Sequence, residues 1–201
     1  MKIAYTMNGL IGGLSGKNSN DSTKDNQIMV LKYVSDLLNE YILPYNDIDF
    51  FIFSWHTDFE DEFQKYIKPT KLKLVPQINF DIPDHLKGKN DKRVIAHKSR
   101  WYGVKEVINL VWKHELENDF EYDLVVNARF DICWNKKYDF SNLNPNNFHH
   151  PSHLDRPTWG YPDENPEISD HIFVTNSNWI KHFATLYDKI DEYTLPGQCP
   201  Q

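Results

Sequence analysis

The chain predicts an α/β fold in which a mainly parallel sheet is flanked by helices on both faces. Three observations carry this. Short apolar runs of strand length alternate with longer segments of helical periodicity, the pattern that leads to parallel strands joined by crossover helices. One run, "DIDFFIFSW", is apolar almost without a break, as a strand buried on both faces must be. No internal repeat is visible, and 201 residues suit a single domain over residues 1–201 with a sizeable core.

The elements follow in order. "KIAYTM" reads as the first strand. In "NQIMVLKYVSDLLNEYIL", Ile28, Leu31, Val34, Leu38 and Ile42 fall on one stripe, which predicts a helix over residues 25–41. "DIDFFIFSW" is the second strand, "DFEDEFQKYI" a short helix and "LKLVPQI" a third strand. Trp101, Val104, Ile108, Val111 and Trp112 recur at helical spacing, which predicts a long helix over residues 97–118. "YDLVVNARFDICW" reads as a fourth strand. After a Pro/Asn-rich stretch, "HIFVTNS" is a strand and "NWIKHFATLYDKI" a closing helix. The end, "YTLPGQCPQ", reads as loop rather than helix end and leaves room for a longer parent chain.

Composition narrows the function classes. A net charge of −7 argues against broad nucleic-acid binding, which needs a basic face, but allows a small basic cluster for one diphosphate. Two cysteines, Cys133 and Cys199, make neither a disulfide framework nor a zinc ribbon and fit a reducing compartment. "MKIAYTMNGL" lacks the apolar core and cleavage site of a signal peptide. No segment approaches the ~20 apolar residues of a membrane span. A cytoplasmic protein is expected.

The first strand runs into "NGLIGGLSGKNS", a glycine-rich loop that allows close backbone approach by a ligand. It is neither of the two common phosphate loops. A Walker loop ending at Gly16-Lys17 would need glycine where Ile11 stands and Ser or Thr where Asn18 stands. Gly9, Gly12, Gly13 and Gly16 also miss the dinucleotide spacing. A mobile surface loop explains the stretch equally well.

Three segments carry chemistry. In "YDLVVNARFDICW", a regular strand puts Leu124, Val126, Ala128 and Phe130 on one face and Val125, Asn127, Arg129 and Asp131 on the other. The second face turns polar only towards the carboxyl end, where such sheets bind ligands. A lone carboxylate, Asp131, suffices for Mg2+ or Mn2+ when phosphates and waters supply the other oxygens; an Arg129–Asp131 ion pair fits the pattern as well. "HKSRWYG" places His97, Lys98 and Arg100 at the predicted start of the long helix, where the dipole and added cations attract anions. An ordinary solvated first turn is the alternative. "SDHIFVTNS" sets Asp170 beside His171, as a general base, a metal ligand or a simple turn. "FHHPSH", with His149, His150 and His153, has no Cys or acidic partner at zinc spacing. "HELEN" at His114 has Asn118 where a zinc-protease helix needs its second His.

Four pieces, in this order, resemble bacterial polysaccharide glycosyltransferase-like proteins. They are "DIDFFIFSWHT", "KSRWYGVKEVINL", which is similar to a Ser-x-x-Tyr helix, "YDLVVNARFDI" and "SDHIFVTNS", over residues 47–178. The resemblance implies a GT-A-type fold that binds a nucleotide-sugar donor, with Mn2+ or Mg2+ on its diphosphate. It implies Asp131 as the metal carboxylate, Lys98 and Arg100 facing the diphosphate, Gly9 near the base and Asp170 on the acceptor side as the catalytic residue. Arg129 stands where a standard Asp-x-Asp has its first carboxylate and counts here among the cofactor-binding residues. The first-strand Ser-Gly motif reads Asn8-Gly9.

The expected function is transfer of a sugar from a nucleotide-diphosphate donor to a glycan or lipid-linked acceptor. The alternatives are a catalytically silent nucleotide- or glycan-binding relative, or another metal-dependent enzyme such as a nucleotidyltransferase or phosphohydrolase.

Overall fold

The computed structural model of the protein describes residues 1–15, 21–88, 91–150 and 171–193. It is an α/β structure built on one five-stranded sheet. The strands are β1 (Lys2–Gly9), β2 (Asp47–Ser54), β3 (Lys71–Leu74), β4 (Leu124–Ala128) and β5 (Ile172–Thr175). The helices are α1 (Lys24–Tyr41), α2 (Glu60–Tyr66), α3 (Asp91–Asn118), α4 (Ser177–Ala184) and α5 (Ile190–Tyr193). The sheet order is β3-β2-β1-β4-β5; the first four strands are parallel and β5 is antiparallel to β4.

This order explains where the helices lie. The chain steps from β1 through α1 to β2 and through α2 to β3, always in one direction. It then reverses through α3, passing β2 and β1 to reach β4. Because parallel crossovers are right-handed, a reversal of direction moves the connecting helix to the opposite face. Leu31, Val34 and Leu38 of α1 and Phe63 of α2 accordingly pack with Ile3, Tyr5, Met7, Phe50 and Ile52. Val104, Val107, Ile108 and Val111 of α3 pack with Ala4, Phe51, Phe53 and Val125 on the other face. The unbroken apolar run of β2 supplies both cores by simple alternation.

Several boundaries differ from the sequence reading, each for a local reason. Helix α1 begins where expected, with the Thr23 side chain accepting from the Asn26 amide. β3 stops at Leu74, and the last bond to β2 runs from the Val75 amide to the Ser54 carbonyl, just before Pro76. α3 begins at Asp91, not at residue 97, so His97, Lys98 and Arg100 lie well inside the helix rather than at its amino terminus. The closing helix breaks after Ala184 into a 3-10 stretch over Thr185–Lys189, where the Thr185 hydroxyl donates to the His182 carbonyl and competes with helical bonding. β4 is confined to Leu124–Ala128. The Tyr122 amide is taken by Glu115, and the chain turns after Ala128, with the Ile132 amide reaching the Arg129 carbonyl. Arg129 and Asp131 therefore leave the strand, and the expected alternation ends at Ala128.

No helix among the described residues is long and apolar enough to cross a membrane.

Candidate functional site

Reversal of direction creates a switch point between β1 and β4, and open α/β sheets bind ligands outside the carboxyl ends of the strands at such a point. Asn8 and Gly9 end β1 there, and Asn127 and Ala128 end β4. Towards the carboxyl ends of β1 and β4, Thr6, Asn8 and Asn127 are polar residues on the parity that faces α3. Asn127 and Thr6 are wholly buried and Asn8 is 1% exposed.

Arg100 of α3 crosses over these strand ends. Its Nη1 donates to Asn8 Oδ1 at 2.6 Å and its Nη2 to Asn127 Oδ1 at 3.3 Å. A guanidinium only donates, so both amides must present their oxygens to it. Asn127 Nδ2 then donates to Thr6 Oγ1 at 2.8 Å, and the Thr6 hydroxyl donates to the Val126 carbonyl at 3.0 Å. Arg100 is thus held by a relay anchored in the sheet. Asn8 Nδ2 lies buried without a hydrogen-bond partner among the described residues, an arrangement that costs about 1–3 kcal/mol unless a further group meets it. Gly103 lets α3 come this close, since a Cβ there would lie 3.1 Å from Asn8 Oδ1.

Gly9 occupies φ +102°, a region that disfavours any side chain, and its carbonyl accepts from Ser54 Oγ at 2.9 Å. The loop beyond it is tied to the protein through alternate amides. Ile11 N–H donates to His56 Nε2 at 3.1 Å, Gly13 N–H to Ser22 Oγ at 3.1 Å and Ser15 N–H to Asp21 Oδ2 at 3.0 Å. Those three donors are engaged by side chains, unlike a phosphate-cradling nest, in which the amides face the anion.

The other expected site residues fall in different places. Lys98, 8% exposed, donates to the Asp81 carbonyl at 2.7 Å and pairs with Asp191 at 3.0 Å. Its ammonium ties α3 to the segment before it and to α5. Arg129 grips Asp131 with both ends of its fork, Nε to Oδ1 at 2.8 Å and Nη2 to Oδ2 at 2.5 Å, and its amide donates to the His171 carbonyl. Both oxygens of Asp131 accept from Arg129, so a divalent ion on this carboxylate would compete with the guanidinium for its charge. No three His, Cys, Asp or Glu side chains among the described residues are grouped to hold a metal. Asp170, Gly16, Lys17 and His153 lie outside the described residues. His149 pairs with Val174, and its Nε2 contacts the Asn144 carbonyl. His114 packs among Phe51, Phe120 and Tyr122.

His56 gives the site a pH dependence. Burial holds its pKa below the ordinary 6.5, opposed by the charge of Asp58, and the Ile11 amide requires Nε2 as an unprotonated acceptor. The unfolded chain therefore binds the proton more readily, so stability rises with pH through this group. Its contribution is complete above the ordinary histidine value and is lost as pH falls below it through the folded value. Between about pH 7.5 and about pH 5.5, the native protein should lose more melting temperature than His56→Gln, which keeps a neutral acceptor. Equal losses in the two proteins would remove His56 as the cause.

No family model matches the chain, and no curated protein sequence does either.

Proposed function

We propose that the chain is a glycosyltransferase that moves a sugar from a nucleotide-diphosphate donor to a glycan or lipid-linked acceptor on a GT-A-type fold. The observation that carries this reading is Arg100, fixed by Asn8 and Asn127 across the switch point of a mainly parallel sheet. A cation held in place before the ligand arrives stabilises charge developing on a leaving diphosphate without reorganising during the reaction. Gly9, on the same edge, leaves room for a nucleoside beside the backbone. The resemblance of four ordered segments to polysaccharide glycosyltransferase-like proteins supports the same class. Asp170 is assigned the acceptor side as general base.

Asp131 is assigned to a donor-borne Mn2+ or Mg2+, the diphosphate competing for Arg129 and so releasing the carboxylate. A metal would supply further neutralisation of the leaving group; Arg100 and Arg129 supply it from the chain itself. The closed Arg129–Asp131 pair favours one second reading, a catalytically silent nucleotide-binding relative.

Thermal shift with UDP and GDP, each with and without Mn2+, tests the proposal. Either nucleotide should raise the melting temperature, since ligands bound preferentially to the native state stabilise it. The Mn2+-dependent part of the increase should shrink in Asp131→Asn. The Arg129–Asp131 side chains are partly exposed, 22% and 36%, so loss of the pair alone should change the apo melting temperature little. An unchanged metal increment would end the metal assignment, and binding without donor turnover would favour the silent relative. No shift with any nucleoside diphosphate at millimolar concentration would defeat both.

A further inference from the structure

The stripe of α3 that faces the sheet changes character along its length. Val104, Val107 and Val111 on this stripe are buried against β1, β2 and β4. At 3.6 residues per turn the same line continues backwards through Arg100, His97 and Arg93. The helix runs antiparallel to the parallel strands, because Arg100 meets the carboxyl end of β1 while Glu117 pairs with Lys71 at the amino end of β3. The turns before Arg100 thus project past the carboxyl edge of the sheet. The inward stripe is apolar where it has sheet to cover and basic where it overhangs the switch point.

Val94 lies about a quarter of a turn from Arg93 and Lys98 nearly half a turn from Arg100, and both are buried, Lys98 against Asp81 and Asp191. Arg93 is exposed, and His97 is half-buried with its ring 6.4 Å from that of Trp101. From Arg93 to Arg100 the helix rises about 10 Å, a spacing that two linked phosphates match with little lean of the side chains, whereas a single phosphate would need both to converge on it. At the inner end stand Arg100, fixed by two buried amides, and the buried Nδ2 of Asn8, which has no partner among the described residues.

We propose that Arg93 is a second anion-binding residue of this site, and that Arg93, His97 and Arg100 together take an oxyanion chain at least a diphosphate long, its inner end at Arg100. This rests on the diphosphate reading of the site and replaces Lys98 by Arg93 in it. The same chemistry arrives on a nucleoside diphosphate or on an isoprenyl diphosphate acceptor.

The test is calorimetric titration of the native chain and of Arg93→Ala with inorganic phosphate, pyrophosphate, UDP, GDP and geranyl diphosphate. Pyrophosphate should bind at least about tenfold more tightly than phosphate, and Arg93→Ala should remove about that factor while leaving phosphate affinity within about twofold. Because Arg93 is exposed, the apo melting temperature should stay put, and Arg93→Glu should weaken pyrophosphate further still. Tighter binding of UDP or GDP than of geranyl diphosphate assigns the stripe to the donor; the opposite order assigns it to the acceptor. Pyrophosphate affinity unchanged by both variants overturns the inference, as does failure of pyrophosphate to bind at millimolar concentration. Nucleotide and geranyl diphosphate binding that both ignore Arg93 defeat the inference and spare the proposed function. Arg93-dependent pyrophosphate binding with no nucleotide binding does the reverse.

Discussion

Glu115→Ala should lower the melting temperature of the ligand-free protein by roughly 6–12 °C, from a loss of ~3 kcal/mol at ~2–4 °C per kcal/mol for a chain of this size. Glu115 is 2% exposed and sits on α3 where the chain enters β4. Its Oε1 accepts from the Tyr122 amide at 2.9 Å and from Ser177 Oγ at 2.5 Å, while Oε2 faces Lys181 Nζ at 3.0 Å. One carboxylate therefore joins α3, the approach to β4 and the first turns of α4. Its removal leaves a buried amide and a buried hydroxyl without acceptors and a lysine, 23% exposed, without its partner. Glu115→Gln keeps an oxygen for Tyr122 and Ser177 but turns an amide donor towards Lys181, so its loss should be smaller than that of Glu115→Ala without vanishing. Melting temperatures of the two variants check this. A Glu115→Ala protein within about 2 °C of the native one would show that the three contacts are separately replaceable by water.

Much of the fold was legible because burial in an α/β protein leaves strong periodic marks. "DIDFFIFSW" announced a two-faced strand, and Phe50 and Ile52 do face α1 and α2 while Phe51 and Phe53 face α3. Where single residues compete for backbone groups, the pattern gave no warning. "YDLVVNARFDICW" continues its alternation past Ala128, yet the structure turns there, and what looked like a polar strand face at Arg129 and Asp131 became a pair in a turn. The antiparallel direction of β5 was equally hidden, since the four residues of Ile172–Thr175 carry no mark of direction.

The candidate site was half legible. Arg100 and Gly9 lie on the expected edge, and Asn127 was on the right face of its strand. Asn8 was noticed only as a departure from a motif, although its parity with Ala4 and Thr6 marked it as the polar end of a buried face. Lys98 was grouped with Arg100 because a cluster read along the chain says nothing about angle. Lys98 is two residues from Arg100, or about 200° around the helix, whereas Arg93 is seven residues away and almost eclipsed with it.

Arg100 carries the last and most specific expectation. Arg100→Ala should weaken nucleoside diphosphate binding by about 10- to 150-fold, the range of ~1.5–3 kcal/mol for a hydrogen bond to a charged group. It should leave binding of the bare nucleoside nearly unchanged. Stability will fall as well, since the buried oxygens of Asn8 and Asn127 lose their shared donor. Titrations must therefore be made well below the variant's melting temperature, with the nucleoside serving as the measure of an intact site. Arg100→Lys separates charge from geometry. An ammonium restores the positive charge but is a compact point donor without the planar fork that bridges the two amides. If catalysis and binding depend on a cation positioned by Asn8 and Asn127, the lysine variant should recover little of the lost affinity. Recovery of most of it by lysine would mean that charge near the strand ends is sufficient and that the relay through Asn127, Thr6 and Val126 serves packing alone. Equal weakening of nucleoside and nucleoside diphosphate in Arg100→Ala would remove Arg100 from the phosphate site altogether.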